Sequence, residues 1–182
     1  RVFGNILITA FTKIASGYYH VADVVEGFTA INKDALKRID WRKAWKRYGY
    51  PMGFLIHLNA FRIRVVEVPR TAIYIPGERQ SQIKPLSYAL SVSPMLARGF
   101  FWRLWTKYVV WDFHPLVLFY ALGLSLLPSG FVFGLFLVWK QIAGAGVSGP
   151  PSILAALAIS TGLQFLLFAM LFDMQETKNG GG

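Results

Sequence analysis

Between Ile75 and Pro85 the chain reads IPGERQSQIKP, and Glu78, Arg79, Gln80, Ser81, Gln82 and Lys84 crowd one short polar stretch of a protein that is 54% hydrophobic. A guanidinium offers a planar fork of donors and an ammonium a point charge, so Arg79 and Lys84 together suit an oxygen-rich anion. The bland reading of the same residues is a solvated turn, opened by Pro76-Gly77 and closed by Pro85. Other chemistries lack their residues. His20, His57 and His114 stand far apart, without the H-E-x-x-H spacing of a zinc site, and His57 reads as a packed, hydrogen-bonded residue of an apolar helix. There is no G-x-S-x-G elbow and no G-x-x-x-x-G-K-[ST] loop. Cysteine is absent, which excludes disulfides, thiol nucleophiles and Cys-based metal sites.

The polar loop must be held by its neighbours. RIRVVEVP (62–69) and TAIYI (71–75) are β-branched runs of strand length bounded by Pro and Gly, and FTAIN (28–32) reads as a shorter strand. Residues 1–17 place Val2, Ile6, Phe11 and Ile14 at amphipathic helical spacing with Gly17 as C-cap. Asn32 is an N-cap for KDALKRI, and Pro51 sits in the first turn of the apolar helix PMGFLIHLNAF. The loop between Asp40 and Tyr50 packs four basic residues and two Trp onto the surface. After the polar loop, LSYALSVSPMLARGFFWRLWTKYVVWDF continues as a basic, aromatic helix.

That helix leads into the apolar third. Pro115–Trp139 and Pro150–Phe172 carry no charge, and 25 residues of helix reach ~37 Å against a hydrocarbon core of ~30 Å. Pro128-Ser129-Gly130 predicts a kink or a break in the first span, and the short Gly-rich link predicts a hairpin. Seventeen basic residues against seven acidic ones fall in residues 1–114, whereas 115–182 hold two of each, so the positive-inside rule places the N-terminal part on the cytoplasmic side. Phe100, Phe101, Trp102, Trp105, Tyr108 and Trp111, interleaved with Arg98, Arg103 and Lys107, suit the headgroup layer, with the cations snorkelling, rather than a nucleic-acid surface. The chain opens at Arg1 without Met or a signal-peptide pattern, which reads as a fragment of a longer polypeptide.

Taken in order, ADVVEGFTAIN, the helix after YGYP, RVVEVPRTAIYIPGERQSQIK, the basic interfacial helix and the hairpin resemble the C-terminal half of a membrane-bound family 2 glycosyltransferase of the polyprenyl-phosphate, dolichol-phosphate mannose synthase-like type. The D-x-x-x-G-F pattern falls on Asp23, Gly27 and Phe28, the V-x-V-P strand end on Val66, Val68 and Pro69, and a loose G-x-S-K-like loop on Gly77, Glu78, Ser81 and Lys84.

The resemblance implies an α/β fold: the C-terminal, acceptor-side part of a GT-A catalytic domain over residues 1–85, an amphipathic interfacial helix over 86–114, and a transmembrane hairpin with its tail over 115–182. It implies an inverting hexosyl transfer from a nucleotide sugar to a polyprenyl phosphate at the cytoplasmic membrane face, with room for homo-oligomerisation and no nucleic-acid partner. It also implies that Arg1, Arg79, Ser81 and Lys84 bind phosphates and that Asp23 lies near the acceptor as the catalytic candidate. The alternative for Asp23 is a turn residue whose carboxylate caps the backbone. A divalent metal, Mg or Mn, is expected for the intact enzyme, but no D-x-D ligand motif occurs in this chain, so the fragment alone should be inactive. A lipid phosphate is already ionised at neutral pH, so charge neutralisation matters more than a strong base, and the helix at YGYP indeed starts without an acidic residue. Two rival readings stand beside this one: a noncatalytic membrane scaffold binding anionic lipid or a partner enzyme, and a glycosyltransferase acting on a lipid-linked sugar.

Overall fold

The computed structural model describes residues 2–25, 27–42, 45, 49–69 and 85–179. Its elements are α1 (Val2–Ser16), α2 (Lys33–Arg38), α3 (Tyr50–Ala60), α4 (Pro85–Trp105) continued by a π-helix (Thr106–Trp111), α5 (Leu116–Ile142) and α6 (Gly149–Asn179). They fall into two compact units, one of Arg1–Asp112 with Glu176–Gly182 and one of Phe113–Gln175.

The expected α/β sandwich of GT-A type is not what these residues form: every regular element among the described residues is helical. A β-branched run favours extended backbone, but a strand is secured by its ladder neighbours, and an isolated pair is marginal in water. Residues 63–67 do acquire a neighbour, the segment 18–22, at a constant offset of 45 positions. The rungs run through side chains. The Tyr18 hydroxyl donates to the Ile63 carbonyl, His20 Nε2 lies 3.1 Å from the Val65 carbonyl, and the Ala22 amide donates to Glu67 Oε1 at 2.7 Å. Each bond therefore spends a side-chain group where a sheet would use backbone on both sides, and no ladder propagates. FTAIN is irregular as well, while TAIYI lies outside the described residues.

In the first unit α1, α3 and α4 pack on one another. Gly17 ends α1 at φ +75° with its amide on the Lys13 carbonyl at 2.8 Å, the C-cap that its sequence position predicts. The Asn32 side chain caps α2 by accepting from the Ala35 amide at 2.7 Å, and Pro51 occupies the first turn of α3. Helix α3 is enclosed almost all round, burying Met52, Phe54, Ile56, His57, Leu58 and Asn59. Val21 and Val24 from the segment after α1, and Val92, Met95 and Leu96 from α4, complete that core. His57 behaves as its apolar context suggests, with Nδ1 2.9 Å from the Gly53 carbonyl and its ring 4.6 Å from that of Trp102.

The second unit is a helical hairpin. Positions rising along α5 meet positions falling along α6: Phe119 lies against Phe172 and Phe165, Gly123 against Leu166, and Gly130 against Ile159. Glycine makes the close approach possible, since a Cβ on Gly162 would come within 2.6 Å of the Leu127 amide nitrogen. Pro128 neither breaks α5 nor ends it. Its missing N–H falls inside a helix whose Ser125 and Ser129 hydroxyls donate to the carbonyls of Leu122 and Leu126 at 2.9 and 3.0 Å. Both α5 and Gly149–Lys178 are long and apolar enough to cross a membrane.

Candidate functional site

Among the sequence-predicted site residues, Asp23 is described and Arg1, Arg79, Ser81 and Lys84 lie outside the described residues. Asp23 is exposed in the segment that follows α1. Its Oδ1 accepts from the Val25 amide at 3.0 Å, the bond of an Asx-type turn, and its own amide donates to Glu67 Oε1 at 3.3 Å. Glu67 thus takes two successive amides on one oxygen, and it holds the D-x-x-x-G-F segment against the V-x-V-P segment. Two pieces of sequence, each carrying part of the family resemblance, are thus joined in space by residues 44 positions apart, Asp23 and Glu67. Glu67 itself escaped the sequence reading, although its place inside V-E-V-P was a usable signal.

A second polar constellation lies inside the first unit, where cations were expected to snorkel outward. Arg103 is fully buried and Lys107 is 3% exposed. Arg103 donates through Nε to the Ala15 carbonyl at 2.8 Å, through Nη2 to the Ile14 carbonyl at 3.2 Å and through Nη1 to Asn59 Oδ1 at 3.3 Å. These carbonyls belong to the last turn of α1, where the intrahelical ladder leaves acceptors open and the helix dipole favours a cation. Gly17 is required here for a second reason, because a Cβ would sit 2.7 Å from Arg103 Nη1. Lys107 Nζ donates to the same Asn59 oxygen at 2.9 Å and to Thr177 Oγ1 at 3.4 Å. The π-helical turn carries Lys107, and wide turns of this kind recur where a side chain must be re-aimed.

Tyr18, Asn59, Arg64, Lys107, Glu176 and Thr177 are among the residues lining a cleft of about 10 Å³, room for one water and not for a sugar ring. Burial pushes the Tyr18 hydroxyl far above the usual phenol range, and the Arg103 charge opposes that rise only in part. Among the described residues no three His, Asp or Glu side chains converge in a way that could hold a metal ion, so the divalent metal implied by the resemblance has no ligand set there and no step is assigned to it.

The outer surface completes the picture. In α1, Thr12 and Ser16 are fully buried while Ile6 and Phe11 are 59% and 58% exposed. In α4 the exposed positions Leu90, Pro94, Ala97, Phe101 and Trp105 follow helical spacing, whereas Arg103 points inward. A few buried polar groups beside bulky apolar groups left outside, over a core that is itself apolar, depart from the arrangement that water selects. Phe101, Trp105 and Trp111 of the aromatic belt are exposed, whereas Tyr108, Arg103 and Lys107 are packed inside the unit instead of reaching outward.

The class defined by these features is a helical protein of two units, one of them a hairpin long and apolar enough to cross a membrane. No family model, curated protein or solved structure matches the chain.

Proposed function

We propose that this chain is the acceptor-side, membrane-anchored part of a glycosyltransferase that uses a polyprenyl phosphate at the cytoplasmic face of a membrane. The observation that carries the reading is the clasp of Glu67 on the Ala22 and Asp23 amides, which joins the two motif segments beside helices with apolar outer faces. In the reaction, an oxygen of the lipid phosphate forms a bond to the anomeric carbon as the bond from that carbon to the nucleoside diphosphate breaks, with inversion. The acceptor is already anionic, so the protein's task is to position it and offset its charge, not to remove a proton. The chain's cations before residue 115 and its lack of a carboxylate at the start of α3 both fit that task.

The test is lipid selection. With the chain in nanodiscs, polyprenyl phosphate should bind about tenfold or more tightly than the uncharged polyprenol, the scale of one charge-assisted contact. It should also outcompete phosphatidylglycerol. Equal binding of the alcohol would remove the phosphate from recognition, and equal competition by phosphatidylglycerol would favour the scaffold that binds anionic lipid generally.

A further inference from the structure

We propose that α6 pairs in parallel with α6 of a second copy of this chain, along a seam of Ile153, Leu157, Ser160, Gln164, Leu167 and Leu171. These positions alternate spacings of four and three, the a/d repeat of a left-handed helix pair, and all six are exposed. The opposite side of α6 is already used. There Ala155 and Ala169 are buried and Gly162 meets Leu127 of α5.

Gln164 identifies what covers the seam. It lies in the charge-free run Pro150–Phe172, three positions from the middle, ~4.5 Å along the helix axis. From there its amide cannot reach headgroups across half of a ~30 Å core. A carboxamide has two donor hydrogens and an acceptor oxygen, and the Gln164 side chain makes no hydrogen bond among the described residues. Lipid tails supply no partner, so a second helix must.

An identical helix meets every condition. Copies inserted with one topology present their α6 helices in parallel, which puts Gln164 opposite Gln164, and two carboxamides across a two-fold axis each donate and accept. Ser160 lies one turn away on the same seam, small enough to let the backbones approach. A single polar residue at an a position also fixes register, so a slipped pairing would leave both amides against Leu. The inference rests on the membrane insertion contained in the reading above and is independent of sugar transfer.

The chain has no cysteine, so single thiols report position cleanly. We would introduce Ser160→Cys and Leu167→Cys on the seam, and Val132→Cys and Leu135→Cys on exposed positions of α5, in the whole chain reconstituted at high lipid-to-protein ratio. Retention of the chain in the vesicles after carbonate washing reports insertion separately. Under oxidation the seam thiols should give disulfide-linked dimers about fivefold or more above the α5 thiols, and adding Gln164→Leu should lower the seam yield about three- to tenfold. Equal yields at all four positions, a maximum on α5, or a seam yield indifferent to Gln164→Leu would each overturn the proposal.

Discussion

Glu67 Oε1 accepts the Ala22 amide at 2.7 Å, and the bond ties a segment that follows α1 to one that follows α3. The carboxylate also takes the Asp23 amide, so one side chain sets the backbone of the residue that the family resemblance marks as catalytic. Glu67→Ala should therefore speed hydrogen exchange of both amides about tenfold, since a lost charge-assisted bond exposes them to solvent. Glu67→Gln, which keeps an acceptor oxygen, should fall between. Two-dimensional NMR of the chain in micelles measures this directly, and unchanged exchange in Glu67→Ala would dissolve the clasp.

Arg103 bridges the end of α1 to α3. Arg103→Ala leaves the carbonyls of Ala15 and Ile14 and the Asn59 oxygen without that donor in a buried place, and should cost about 3 kcal/mol or more. Arg103→Lys reaches fewer of these acceptors with a point charge and should recover only part of the loss. Thermal unfolding in detergent, followed by helical circular dichroism, orders the three proteins.

Tyr18 predicts an alkaline limit. Burial raises its hydroxyl pKa in the folded chain, so above a pH of ~10 the unfolded state sheds a proton that the folded state retains. The folded state then binds more protons, and stability falls as pH rises through that window while staying level below it. In Tyr18→Phe the alkaline decline should be shallower. A steep decline of equal size in both proteins would assign it to other groups.

On the proposed reading, in which the loop neutralises phosphate charge, Arg79→Ala and Lys84→Ala should each lower turnover at least ~10-fold, a loss of ~1.4 kcal/mol or more. The comparison is made at saturating polyprenyl phosphate, which separates turnover from acceptor affinity. Wild-type rates in both variants would return IPGERQSQIKP to the role of a solvated turn.

The features legible in the sequence were those fixed by local chemistry. Asn32 before KDALKRI, Gly17 after a helix-length run, Pro51 in a first turn and two charge-free stretches of more than twenty residues each decide their own surroundings. The strands failed because RIRVVEVP specifies extended backbone but not a partner, and the partner it meets bonds through Tyr18, His20 and Glu67 side chains. The inward cations were hidden for a different reason. Helix α4 carries two apolar stripes, one through Val92, Met95 and Leu96 in line with Arg103, the other through Leu90, Ala97, Phe101 and Trp105, and spacing alone does not say which stripe meets protein and which meets lipid. Asn59, which ties Arg103 to Lys107, gave no sign of its role inside an otherwise apolar helix.

The closing turn of α6 belongs to the first unit, where Thr177 accepts from Asn59 and Lys107. Anyone seeking a water-soluble version by trimming the chain at Asp112 would thus discard a piece of the domain they meant to keep, and would still be left with greasy outer helices. Detergent or a lipid disc is the proper medium for this protein from the first purification step, and shortened versions should be judged by whether they carry that final turn.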